Sequence, residues 1–240
     1  GTAAGHAMLP PPAMDQGATV LVVDGGDSRP QITPAPGGGL ENTDFVLGRP
    51  VDGLVPLTIR VEDSGEAGSR RRARFAGSQD SRTLATWLQG SFPGAELTAA
   101  PKLRLVPSRD PAVIELEATV PRGSLGAGGG IPTYPGSFDW ANRVVPAAQR
   151  SGPLIVEVRP DLEWTLDVDL GRDVGRLPAD VAISGDEGSV TLTFDATETG
   201  YRVRGFVHLE PGLVPADRVP RLRSFLLEAE RLLQRPLEAP

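Results

Sequence analysis

From Leu162 to Leu170 every second residue is apolar: Leu162, Trp164, Leu166, Val168 and Leu170 alternate with Glu163, Thr165, Asp167 and Asp169. Side chains on a strand point to opposite faces in turn, so this run has one buried face and one wet face. The same period recurs around it. Leu154, Val156 and Val158 alternate, Val190, Leu192 and Phe194 alternate with Thr191, Thr193 and Asp195, and Tyr201, Val203, Val207 and Leu209 continue one face. Turns fall at Arg159-Pro160-Asp161, Ser184-Gly185-Asp186 and Thr199-Gly200. Half-buried antiparallel strands with this spacing predict a β-sandwich.

Upstream the pattern is similar but interrupted. Leu57, Ile59 and Val61 alternate with Thr58, Arg60 and Glu62, Asp63-Ser64-Gly65 reads as a turn, and residues 67–76 read as the returning strand of a hairpin. That return carries Arg70, Arg71, Arg72 and Arg74. Leu84, Trp87 and Leu88 fall at i, i+3 and i+4 behind the N-cap candidates Ser78, Asp80 and Ser81, which predicts one short helix over 78–92. Leu103 and Leu105, then Ile114, Leu116, Ala118 and Val120, mark two further strands. Near the start, Ala18 to Val23 reads as a buried strand running into a turn, and 34–39 as a linker. Residues 123–150 are irregular, with a glycine run at 126–130 and the aromatics Tyr134, Phe138 and Trp140.

The period changes once more at the end. Val219, Leu222, Phe225, Leu226, Ala229, Leu232 and Leu233 form one helical stripe between Pro215 and Arg235. Asp217 is the expected N-cap, Pro220 falls in the first turn, and Pro236 stops the helix. The stripe needs an apolar partner. Its own sandwich is the commoner one; the rival is a docking surface centred on Leu222, Phe225, Leu226 and Leu233. The expected fold class is mainly β (α+β), with antiparallel sandwich-like domains, one short helix and a C-terminal amphipathic helix. Three parts are expected: 1–40 as closing strands of an upstream core plus a linker, 41–125 as a β/α subdomain, and 126–240 as a β-sandwich with the terminal helix.

Composition narrows the chemistry. The 240 residues contain no Cys, which removes disulfides, thiolate metal sites and a cysteine nucleophile. A net charge of −7 disfavours nucleic acid and anionic lipid as partners. No apolar run reaches the length of a membrane-spanning helix. The two histidines, His6 and His208, lie in no triad-like spacing, and there is no G-x-S-x-G elbow. Asp167 and Asp169 on one strand face read as solvated carboxylates rather than calcium ligands, as do Glu115 and Glu117 rather than a glycosidase pair. The glycine run lacks the Lys-Ser/Thr of a phosphate loop. No catalytic residue, metal site or cofactor is therefore expected. Two binding features are. Arg70, Arg71 and Arg72 are either an anion or polysaccharide contact or a charged guard on an edge strand, the guard being the commoner use. Tyr134, Phe138 and Trp140 are either a ligand platform or a cap on the core.

Two stretches carry a family resemblance. One is the opening, Gly1-Thr2-Ala3 through Leu9-Pro10 and Gln16-Gly17 to Val20-Leu21-Val22-Val23. The other is the ending, Tyr201-Arg202-Val203, Leu209-Glu210-Pro211-Gly212, Val214-Pro215 and Arg221-Leu222-Arg223-Ser224-Phe225-Leu226 with Glu230-Arg231. Together they resemble the C-terminal β region of large bacterial transglutaminase-like proteins, built as β domain, transglutaminase core and β domain. The resemblance implies a chain that starts just past the family's Cys, His and Asp. It implies a non-catalytic structural or protein-interaction module in the periplasm or cell envelope, partnered by an upstream core or another envelope protein. The missing start Met and the absence of a signal-like segment at Gly1–Gly5 suit a piece of a longer protein. Two alternatives remain: a cysteine transglutaminase or peptidase completed by an upstream fragment, and a carbohydrate-binding sandwich.

Overall fold

The computed structural model describes residues 19–24, 27–32, 39–75, 81–106, 111–125, 130–136, 138–146, 152–157 and 159–238. Its first strands are β1 (Thr19–Asp24), β2 (Asp27–Ile32), β3 (Leu40–Leu47) and β4 (Leu54–Asp63). Helices α1 (Gly65–Phe75) and α2 (Ser81–Ser91) follow, then β5 (Glu96–Leu97), β6 (Lys102–Arg104), β7 (Ala112–Pro121) and β8 (Gly130–Pro132). After α3 (Trp140–Val144) come β9 (Leu154–Val156), β10 (Asp161–Asp169), β11 (Val181–Gly185), β12 (Gly188–Thr197), β13 (Gly200–Leu209) and β14 (Gly212–Val214). Helix α4 (Val219–Leu233) and β15 (Pro236–Glu238) come last. The expectations for the opening 1–18, the linker at 34–38, the caps Ser78 and Asp80, the glycines 126–129 and Val158 lie outside the described residues.

The protein is mainly β, as the alternating runs predict. Nine strands make one mixed sheet in the order β11-β12-β13-β10-β3-β4-β7-β5, with β6 also paired to β7. One junction is parallel, β3 against β10, with Phe45 opposite Leu166. This pairing joins strands from 41–125 to strands from 126–240, so the boundary expected at residue 125 does not divide the sheet. Strands β1 and β2 form a separate antiparallel pair.

The two faces of the sheet differ in chemistry. On one, Leu47 opposes Leu57 and Phe45 opposes Ile59, continuing through Leu166 and Val203 into a single apolar core. Each of these fully buried side chains contributes about 1.5–3 kcal/mol. The other face is a charge ladder. Arg202 holds Asp167 at 2.6 Å, and Arg60 bridges Glu62 at 2.6 Å and Glu115 at 2.7 Å. The carboxylates of Asp167 and Asp169 thus spend themselves on arginines, the latter on Arg49 at 3.0 Å.

Trp164 shows how closely the core is fitted. Its ring lies on Gly205, directly across the strand pair, where a Cβ would stand 2.0 Å from the indole. Its Nε1 donates to the Thr133 carbonyl at 2.8 Å. The Thr133 hydroxyl in turn lies 2.7 and 2.8 Å from the carbonyl oxygens of Leu232 and Leu233, satisfying the C-terminal end of α4.

Helix α4 packs on its own chain. Ala229, Leu232 and Leu233 enter the sheet core, while Val219, Leu222 and Leu226 meet Val144, Leu154, Val156 and Leu209 in a second cluster. Phe225 is half-buried between the two. The docking candidates Leu222, Leu226 and Leu233 are therefore already used internally. Pro220 sits in the first turn as expected, but the cap is Arg218 with no side-chain bond, not Asp217.

The largest departure concerns residues 67–76. They are not a strand: Gly65–Phe75 is a helix. The run contains no β-branched residue, and Glu66, Ala67, Arg70, Arg71, Arg72, Ala73 and Arg74 all favour helix. Its buried residues, Ala67, Gly68 and Phe75, lie against the sheet.

Candidate functional site

The site grows from the end of the sheet where β3 begins and β4 ends. Along β4 the apolar face runs Leu57, Ile59, Val61 and then Asp63; along β3 it runs Leu47, Phe45, Thr43 and then Glu41. The two carboxylates are direct cross-strand partners. Like charges directly opposite on one face destabilise a sheet, the more so where water is excluded. The Asp63 side chain is 1% exposed, and its Oδ1 is buried without a hydrogen-bond partner.

A tight backbone junction holds α1 over this pair. Gly39 and Gly65 both have positive φ, 77° and 59°, and a Cβ on Gly39 would stand 2.2 Å from the Ser64 carbonyl oxygen. With no side chain at either position, α1 starts immediately after Asp63. Two turns along it, the Arg71 Nε donates to Asp63 Oδ2 at 2.6 Å.

Around this base lies a cleft of about 840 Å³ between α1, α2, the sheet and the residues Tyr134, Gly136 and Arg143. Its floor is Phe45, Ile59, Leu88 and Phe92. Among the described residues five arginines line it, Arg70, Arg71, Arg74, Arg82 and Arg143, together with the acidic Glu41 and Asp63. A cationic cleft on a chain of net charge −7 is a local reversal of sign. Arg71 makes a short, shielded ion pair with Asp63. Arg70 reaches Glu66 at 3.9 Å and Arg143 reaches Asp139 at 4.0 Å, both exposed, and Arg74 rests 5.7 Å from the Phe75 ring centroid.

Burial sets the protonation chemistry. It raises the pKa of Glu41 above its ordinary value, and the facing charge of Asp63 raises it further, against the pull of Arg71, Arg70 and Arg159. Burial likewise raises Asp63, more than Arg71 lowers it. The Tyr134 phenol is pushed above its ordinary range by burial first and by Glu41 second. Burial also lowers the Arg159 pKa. That guanidinium lies 5.9 Å from the Trp140 ring centroid, with its Nε buried and unpartnered. The arrangement can therefore bind an anion at its guanidiniums and hold a proton at its base. Perturbed titrating groups lining a cleft mark functional-site candidates.

Of the residues singled out from sequence, Arg70 and Arg71 line the cleft, while the Arg72 Nε turns to the Val106 carbonyl at 3.2 Å. Tyr134 reaches the cleft wall, but its ring packs edge-on against Trp164 and Phe45. Phe138 and Trp140 stack on each other at 4.6 Å. With Arg159 near Trp140 as well, the three aromatics work as packing at this end of the core. Glu41, Asp63, Arg82 and Arg143 were not singled out. For Asp63 a signal existed: it is in phase with Leu57, Ile59 and Val61. His208 lies elsewhere, with Nδ1 2.6 Å from Asp161 and Nε2 3.1 Å from Glu210. Among the described residues no group of three or more His, Asp or Glu is arranged to hold a metal.

No protein-family model matches the chain, and no curated protein or solved structure matches it significantly.

Proposed function

We propose that the protein is a binding module that takes an organic anion with several acidic groups in the arginine cleft. One observation carries this reading: five arginines line a single cleft of about 840 Å³ in an otherwise acidic protein. That volume lies in the range of small-molecule sites, roughly 300–1,000 Å³. Arginine suits the task because its planar fork pairs with carboxylate, phosphate and sulfate oxygens two at a time. The resemblance to the C-terminal β region of transglutaminase-like proteins supports a non-catalytic role beside a larger core. An Asp just upstream of Gly1, with His and Cys further back, is the arrangement that reading requires in the gene.

Calorimetric titration with citrate, inorganic phosphate and inositol hexasulfate tests the binding role. At least one is expected to bind saturably, with affinity that falls as salt rises. The Arg70→Ala/Arg74→Ala variant removes two exposed guanidiniums and is expected to weaken binding by tenfold or more. Absence of binding by all three, or equal binding by the variant, overturns the reading.

A further inference from the structure

Arg71 is committed to a shielded internal partner, and that partner stands directly opposite a second carboxylate. Asp63 is buried, paired with Arg71 at one oxygen and unpartnered at the other, with Glu41 directly opposite. The charged and titratable groups around the two carboxylates come from three directions: Arg70 and Arg71 on α1, Arg159 ahead of β10, and the neutral Tyr134 phenol beyond β8. While both carboxylates are ionised they repel each other and occupy Arg71. A proton on the pair relieves the repulsion, loosens the hold on Arg71 and leaves the cleft with its guanidiniums less opposed.

We propose that anion binding in this cleft is coupled to proton uptake by the Glu41–Asp63 pair, with Arg71 passing from Asp63 to the bound anion. This rests on the anion-binding reading above and adds its regulation: the site is a proton-gated anion trap that fills on mild acidification. The direction follows from linkage, since an incoming negative charge and a carboxylate charge compete for the same guanidiniums. Burial already raises both carboxylates toward the range where such a proton is available. The pair titrates as a unit, so the proton belongs to both residues.

The test uses inositol hexasulfate and inorganic sulfate, which do not titrate at mildly acidic or neutral pH. Affinity is measured from about pH 5 to about pH 8, in buffers of differing ionisation enthalpy so that proton uptake is read directly. Wild type is expected to bind at least fivefold more tightly at the acidic end and to take up as much as one proton per anion. Glu41→Gln/Asp63→Asn is expected to bind at the basic end about as tightly as wild type does at the acidic end, with the pH dependence largely lost. Glu41→Gln alone, which leaves the Arg71 pairing in place, serves if the double variant folds poorly and is expected to lose at least half of the slope. A flat wild-type profile, or an unchanged slope in the variants, overturns the coupling while leaving anion binding intact. Failure of both sulfates to bind at the acidic end also overturns it. Failure of citrate and phosphate as well removes the underlying reading.

Discussion

Glu41 and Asp63 stand directly opposite each other on β3 and β4, two carboxylates at the end of the sheet face that carries the apolar core. A fold gains nothing from this pairing, so its cost is visible in stability. Burial raises both pKa values and the facing charge of Asp63 raises that of Glu41 further, so the folded state holds a proton more readily than the unfolded state does. Stability from this pair is then greatest below the ordinary carboxylate range and falls as pH rises through the raised values. Glu41→Gln is expected to be more stable than wild type at about pH 7.5, by about 0.2–1 kcal/mol, the scale of a cross-strand charge pair. The advantage closes below the ordinary Glu pKa of about 4.3. Urea unfolding at both pH values checks it.

Arg71 is what makes Asp63 tolerable. Its guanidinium is 14% exposed and lies 2.6 Å from a carboxylate that is 1% exposed. Removing it leaves a buried charge without a partner. Arg71→Ala is expected to lose about 3–5 kcal/mol, the range for breaking one side of a buried pair. Adding Asp63→Asn to that variant is expected to restore part of the loss. Chemical denaturation of the two single variants and the double variant measures the coupling.

His208 moves stability in the same direction with pH, but through favourable pairing instead of repulsion. Its hydrogen bond to Asp161 raises its pKa most, burial lowers it by the next largest effect, and the hydrogen bond to Glu210 raises it again. The contribution is fully present below the ordinary His pKa of about 6.5 and is lost as pH rises through the raised value. His208→Gln is expected to flatten the stability profile across that window. Thermal melts between about pH 6 and pH 8 show whether it does.

Much of the architecture was legible because strand and helix periods are local. The β10, β12 and β13 alternations and the α4 stripe follow from spacing alone. What was not legible depends on distance or on competing local cues. The parallel pairing of β3 with β10 sets Leu40 beside Asp161, and no local pattern encodes that meeting. Asp63 precedes Ser64-Gly65 and so reads as a turn residue, although its phase with Val61 places it on the buried face. The arginine run was read as a strand because it follows an alternating strand and a turn. Helix propensity and the apolar positions Ala67 and Phe75 decide otherwise. Arg82 and Arg143 reach the cleft only through tertiary packing.

The packing of α4 makes a sharper mutational contrast. Leu226 is fully buried, and Leu227, one residue on, is 45% exposed. Leu226→Ala is expected to lose about 2–5 kcal/mol and Leu227→Ala less than about 0.5 kcal/mol. Equal, small losses in calorimetric melts would mean that the stripe does not pack on its own chain.

Gly205 gives a test of the core itself. A methyl group there would sit 2.0 Å from the Trp164 ring, which is fully buried and anchored to Thr133. Gly205→Ala is expected to cost about 1–3 kcal/mol, the usual range for overpacking. Trp164 fluorescence and the melting temperature report the shift together.

The central claim is that the arginine cleft is a binding site, and chemical-shift mapping during a citrate titration tests it most directly. The account expects saturable shifts confined to α1, α2, the start of β3, the end of β4 and the residues Tyr134, Gly136 and Arg143, absent in Arg70→Ala/Arg74→Ala. Shifts scattered over the charge ladder of the opposite face, including Arg60 and Arg202, with the cleft unmoved, would contradict it.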